Sequence, residues 1–245
     1  MRKKDRDFEL TCERYVAFFD ILGFKNMVYR EPHDEIYFKL HRFIKKVEGL
    51  RDSENFLLFN AQNTNFDIDK GIVMPVVFSD SIVLISNSDS IHCFNKILFA
   101  SSMILAQSLS NNIPIKGAIA FGLFTSNFHN SLFFGRPLID AYILTSELHF
   151  LGAALHHSIE QNVSKYDLDL ADDFLFNGDI PLKKGHVQHY YIDWTCLLEE
   201  AIETDKLDIA VEVILDNLYL TASGSDRLYI DNSKRLYLED EQLKC

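Results

Sequence analysis

Two stretches decide how this chain folds: RYVAFFDILGF at residues 14–24 and MPVVFSDSIVLIS at residues 74–86. Residues 14–20 are a short apolar run, rich in aromatics and closed by an acid, which predicts a buried strand. Ile21-Leu22-Gly23-Phe24 predicts a turn into a helix, which continues with a break near Pro32 to about Leu50. In the second stretch, residues 73–78 and 82–86 predict two strands. Ser79-Asp80-Ser81 falls at the tight turn between them, where short polar residues are favoured.

Working outward, helical spacing predicts a helix over 90–110, stopped at Asn111-Asn112. PIKGAIAFG predicts a strand over 114–122, Phe133-Phe134 a short strand, and 135–150 a helix. A strand is expected over 155–159 and a hairpin over 178–194, turning at Lys184-Gly185. Residues 195–222 read as helical, and those beyond as a tail of no definite type. The core order of strand, helix, hairpin, helix, strand is the βαββαβ arrangement, an α+β ferredoxin-like sandwich. The expected division is a flexible leader over 1–12, a main domain over 13–194 and a helical extension over 195–245, with a variable loop at 52–70. Many functions use this fold, so chemistry must be argued from residues.

Bulk properties narrow the classes. Of 245 residues, 47% are hydrophobic and 13% aromatic, enough for a core. The net charge of -12 argues against broad nucleic-acid binding, which needs a basic footprint, but a few local lysines can still make one cleft attractive to a small anion. Cys12, Cys93, Cys196 and Cys245 form no CxxC pair, which fits reduced thiols and a cytoplasmic location. No apolar segment follows the basic N-terminus as in a signal peptide, and no run of about 18 apolar residues predicts a spanning helix. The histidines form no HExxH, and neither a Gly-x-Ser-x-Gly elbow nor a GxxxxGK[ST] loop is present.

Asp20 and Asp80 are the candidates for chemistry. In a ferredoxin-like sheet the first strand lies beside the hairpin, so the two carboxylates meet at one sheet edge and can hold divalent cations, which prefer oxygen ligands. Each acid alone is also an ordinary turn or cap residue. Gly23 permits a sharp turn whose amides can cradle phosphate oxygens, or is a plain strand–helix turn. Lys116 lies in an apolar stretch, where a lysine either snorkels to solvent or clamps an anion. Lys183 and Lys184 sit at a hairpin tip, a solvated position by default.

RYVAFFDILGF, MPVVFSDSIVLIS, IKGAIAFG, GRPLIDAYILTSEL and IPLKKGHVQHYYIDW, in that order, resemble successive motifs of the class III nucleotide cyclases over about residues 14–194. The nearest resemblance is to the small bacterial pyrimidine cyclases of Pycsar anti-phage systems. It implies a cyclase homology domain of ferredoxin-like type, with two Mn²⁺ or Mg²⁺ ions held by Asp20, Asp80 and the Ile21 carbonyl. It implies a phosphate-binding turn at Leu22, Gly23 and Phe24, phosphate contacts from Lys116, and a catalytic lysine at Lys183 on the LKKG hairpin. It further implies a two-fold homodimer with sites between subunits, and the conversion of UTP, or alternatively CTP, into a 3′,5′-cyclic monophosphate and pyrophosphate. The cyclic product would activate a separate effector, a membrane protein or a TIR-domain enzyme.

The chain departs from the purine enzymes of that family. Where they carry a charged base-reading residue, Pro75 and Val76 stand here, and where they carry asparagine and arginine, Ile139 and Ile143 fall. Lacking a charged purine contact agrees with a pyrimidine substrate. The missing asparagine and arginine leave room for a rival, a catalytically inactive cyclase-like regulatory domain.

Overall fold

A computed structural model describes residues 8–49, 72–163, 174–197 and 207–239. The expected loop at 52–70 lies outside them, as do residues 1–7 of the leader and 198–206 and 240–245 of the extension. Among the described residues eight strands form one sheet: β1 (Thr11–Ile21), β2 (Val73–Phe78), β3 (Ser81–Ser86), β4 (Ile115–Asn127), β5 (Leu132–Gly135), β6 (Gly152–Leu155), β7 (Leu175–Leu182) and β8 (Gly185–Ile192). Their order is β2-β3-β1-β4-β6-β8-β7, with β5 paired to β4 alone. The helices are α1 (Phe24–Arg30), α2 (His33–Gly49), α3 (Ile91–Ser110), α4 (Arg136–Glu147), α5 (His157–Val163), α6 (Leu207–Thr221) and α7 (Asp226–Lys234).

The first four strands are the ferredoxin-like core. β1 runs down its centre, antiparallel to β3 on one side and to β4 on the other. It is buried on both faces, which explains its unbroken apolar run in place of alternation. Tyr15, Ala17, Phe19 and Ile21 face a core shared with α2 and α3, whereas Phe18 faces Ala118, Ala120 and, from α4, Ala141 and Leu144. Phe19 also explains Gly117. The two are register partners, and a Cβ on residue 117 would lie 2.3 Å from the Phe19 ring and 2.7 Å from the Phe18 carbonyl oxygen.

The expected α+β ferredoxin-like class is what the topology shows. Several local expectations are corrected. The strand placed over 155–159 is Gly152–Leu155, followed by helix α5. Gly-Ala-Ala is a weak strand signal, but pairing with β4 and β8 on both sides overrides propensity. The helix over 135–150 ends at Glu147, because Leu148 turns into a bridge with Leu182. β4 runs five residues past Gly122, paired with β1 and β5. β1 begins at Thr11, inside the stretch expected as leader.

Past Ala222, where no definite element is expected, α7 forms. Ile214, Leu215 and Leu218 of α6 and Tyr229 and Ile230 of α7 join the main core. The Asn232 side-chain amide donates to the His149 carbonyl at 2.7 Å, and the Leu151 amide donates to Ser233 Oγ at 2.8 Å. α7 is therefore fastened to the segment that leads into β6.

Candidate active site

The ends of β1, β3 and β4 bring the sequence candidates together. Asp20 is the Cα partner of Ser81 on β3 and of Lys116 on β4. Ser79-Asp80 is the two-residue turn joining β2 to β3, with Ser79 in the left-handed region at φ 56°. The Ile21 amide donates to the Asp80 carbonyl at 3.0 Å, fastening the hairpin turn to the end of β1. Asp20 and Asp80 thus reach one edge of the sheet.

The electrostatics agree. Burial and the Asp80 charge raise the Asp20 carboxyl above its ordinary range, while Lys116 and Lys183 pull it back. Among the described residues neither acid has an ion-pair partner. Lys116 is only 4% exposed, and its ammonium donates to the Leu148 carbonyl at 3.3 Å. Burial, helped by the Lys183 charge and opposed by Asp20, lowers its pKa to about 8. The snorkelling alternative for Lys116 is therefore set aside. Lys183 is exposed at the β7–β8 turn, and its amide donates to the Glu147 carbonyl at 2.8 Å. It acts electrostatically on Asp20, Lys116 and His149, whereas Lys184 figures in none of these three fields.

The turn over residues 21–24 is partly as expected. Gly23 has φ 71° and ψ 14°, the left-handed region that favours glycine, and caps α1 without a side-chain bond. Phe24, Lys25 and Asn26 form the first helical turn, whose amides have no intrahelical acceptor. Leu22 is different: its amide donates to the Pro114 carbonyl at 2.9 Å, so it is engaged in the fold and not offered to a phosphate.

Two residues that sequence reasoning missed also belong here. The Tyr229 ring lies under the Lys116 ammonium, 5.2 Å from nitrogen to centroid. The His149 ring packs edge-on against Tyr229 with centroids 4.4 Å apart. Burial, then Lys116 and Lys183, lower the His149 pKa. Neither residue sits in a recognisable motif, and Tyr229 arrives on a helix whose position only the tertiary packing sets.

Among the described residues no group of three or more His, Cys, Asp or Glu side chains is placed to hold a metal. The two acids fit a different mode, in which Mg²⁺ or Mn²⁺ takes one or two carboxylates and completes its oxygen shell with substrate phosphates and water. The convergence of the Asp20 strand end and the Asp80 turn, with no ion-pair partner for either acid among the described residues, is the observation that favours a bound cation there.

No protein-family model and no curated protein matches the sequence. Solved structures do align with it. A bacterial light-regulated adenylyl cyclase covers 83% of this chain at 14% identity with a TM-score of 0.49, and this chain spans only 56% of that one. The guanylyl cyclase Cya2 covers 75% of this chain at 12% identity and a TM-score of 0.42, with 91% of its own length matched. A class III adenylyl cyclase-like ATP-binding protein from Pseudomonas aeruginosa covers 94% at 14% identity and a TM-score of 0.38, with 44% of its own length matched.

Proposed function

We propose that this chain is a nucleotide cyclase that converts a pyrimidine nucleoside triphosphate, UTP ahead of CTP, into its 3′,5′-cyclic monophosphate and pyrophosphate. The observation that carries the reading is the convergence of Asp20, Asp80, Lys116 and Lys183 at one sheet edge, two anions and two cations from four separate elements. A cyclisation needs this combination. The substrate 3′-oxygen attacks the α-phosphorus, the bond from that phosphorus to the bridging oxygen breaks, and charge moves onto the departing pyrophosphate.

Asp20 and Asp80, with the Ile21 carbonyl, would hold divalent cations, which supply charge neutralisation and acidify the attacking hydroxyl. Lys183, exposed at a hairpin tip, would meet the outer phosphates. Lys116, fixed from below, offers ammonium protons left over from its bond to Leu148. The open amides after Gly23 complete the phosphate contacts. For the base, Pro75 and Val76 offer no charged purine contact, which favours a pyrimidine.

Phe78, beside the Ser79-Asp80 turn, and Ile139, Tyr142 and Ile143 on α4 are exposed apolar side chains. They support a homodimer whose second subunit closes each site. On the resemblance to defence cyclases, the product would signal to a separate effector of the membrane-protein or TIR-domain type. No described helix is long and apolar enough to cross a membrane.

The reading is tested by incubating the pure protein with ATP, GTP, CTP and UTP and Mn²⁺, and resolving products by mass spectrometry. A cyclic pyrimidine nucleotide supports it. A cyclic purine alone overturns the base assignment, and no cyclic product from folded protein overturns the activity.

A further inference from the structure

Lys116 is a cation held in an unusual way. Its neighbours across the sheet are Asp20 on β1 and Gly152 on β6. No carboxylate lies within ion-pair distance among the described residues. One ammonium proton goes to the Leu148 carbonyl, and the aromatic face of Tyr229 supplies the remaining stabilisation seen. A ring face carries negative electrostatic potential, so it holds a cation without neutralising it as a carboxylate would. The ammonium stays available to an anion.

Tyr229 is itself fixed. It is 7% exposed, it packs on His149, and α7 is bonded to the 148–152 segment through Asn232 and Ser233. The same segment carries the Leu148 carbonyl that accepts from Lys116. Both supports of the ammonium are thereby joined into one unit. On α7, Asp226 and Ile230 also line a cavity of about 150 Å³ together with Leu22, Gly23 and Pro114, so this helix borders the phosphate turn as well.

We infer that Tyr229 is a positioning residue of the site: its ring holds the Lys116 ammonium beside Asp20, and the C-terminal helix α7 is a working part of the triphosphate site. This rests on the reading of Lys116 as a phosphate contact. It extends the site to residues outside every motif quoted above.

The experiment replaces Tyr229 by phenylalanine and by 3,4,5-trifluorophenylalanine, which keeps the ring's shape but removes the negative face, and adds Tyr229→Met. Two readouts are taken on the full chain. One is the ring-current shift of the Lys116 side chain in ¹³C-lysine-labelled protein, assigned with Lys116→Arg. The other is binding of inorganic triphosphate with Mg²⁺ by calorimetry. We expect Tyr229→Phe to keep the upfield shift and the affinity. The trifluorinated ring should weaken affinity roughly three- to tenfold, the range a cation–π contact allows. In a Lys116→Ala background the fluorinated ring should change nothing more. Equal affinity for the phenylalanine and trifluorophenylalanine proteins would overturn the inference, as would a lysine signal without a ring-current shift. Should Tyr229→Met fail to fold, the fluorinated pair still decides. Loss of affinity only in Lys116→Ala rejects Tyr229's role and leaves the cyclase reading standing. Wild-type protein that takes no triphosphate rejects both.

Discussion

Asp20 and Lys116 are direct Cα partners across β1 and β4, a carboxylate and a buried ammonium on the same face of the sheet at the edge where the hairpin turn arrives. A lysine so buried, without an ion-pair partner among the described residues, costs stability. Lys116→Met should raise the stability of the metal-free protein by about 1–3 kcal/mol, as replacing buried charge by apolar volume often does. Activity should fall by roughly a hundredfold, the scale of one lost transition-state contact. The pH dependence has a definite sign. The folded pKa is about 8 against an ordinary 10.5, so folding opposes the charged form. That penalty is complete below pH 8 and fades as pH rises from 8 to 10.5. The stability gap between variant and wild type should therefore be largest below pH 8 and should close above it. Burial is the main cause of this shift, the Lys183 charge adds to it and Asp20 opposes it, while the Tyr229 ring also faces the ammonium. Denaturant melts across the range check it.

Asp20 shifts the other way. Its raised pKa means that the folded, metal-free protein favours the protonated form, so stability is fullest at low pH and is lost as pH rises through the raised value. Asp80→Asn should reduce that loss, since the Asp80 charge is the second cause of the shift. The metal-free variant should melt a few degrees higher than wild type at neutral pH. Mn²⁺ should stabilise the wild type and leave the variant little changed. Thermal scans with and without Mn²⁺ measure both effects.

Gly117→Ala should be among the most damaging small changes. The added carbon would enter the Phe19 ring and also meet the Phe18 carbonyl, which is main chain and cannot step aside. We expect a loss of about 1–3 kcal/mol by overpacking. Phe19→Leu in the same chain should restore only part of it. Chemical denaturation of the single and double variants reads the result.

Arg14 offers a contrast far from the acids. It is fully buried on β1 and donates to Ser126 Oγ at 2.7 Å, to the Glu9 carbonyl at 2.7 Å and to the Ser86 carbonyl at 3.4 Å. Arg14→Ala strands those acceptors and should cost about 2–4 kcal/mol. The protein that remains folded should keep its turnover. A melt together with an assay at low temperature separates the two effects.

What the sequence made legible follows from where information is local. The strand of residues 14–20, the hairpin around Asp80 and the helix after Ser90 carry their own signals: apolar runs, short polar turn residues and helical spacing; the structure adds a Ser90 cap whose Oγ accepts from the Cys93 amide at 3.3 Å. The meeting of Asp20 with Asp80 then follows from topology. Lys183 over Lys184 rests on a resemblance and not on any local pattern of the hairpin. β6 was illegible because Gly152-Ala153-Ala154 has little strand propensity and is held by its neighbours. Leu22 lies in a turn that reads as phosphate-binding, but its amide is bonded to the Pro114 carbonyl, a tertiary contact that the local sequence does not encode. His149 and Tyr229 were hidden for a plainer reason: they meet Lys116 only through packing between distant segments, which no local pattern encodes.

The most direct test of the account compares turnover of a pyrimidine triphosphate with Mn²⁺ by wild type, Asp20→Ala, Asp80→Ala and the double variant, each shown to be folded. If the two acids hold cations as one unit, each single change should remove cyclic product about as completely as both together. Turnover that survives either change, or losses that simply multiply in the double variant, would contradict the shared site.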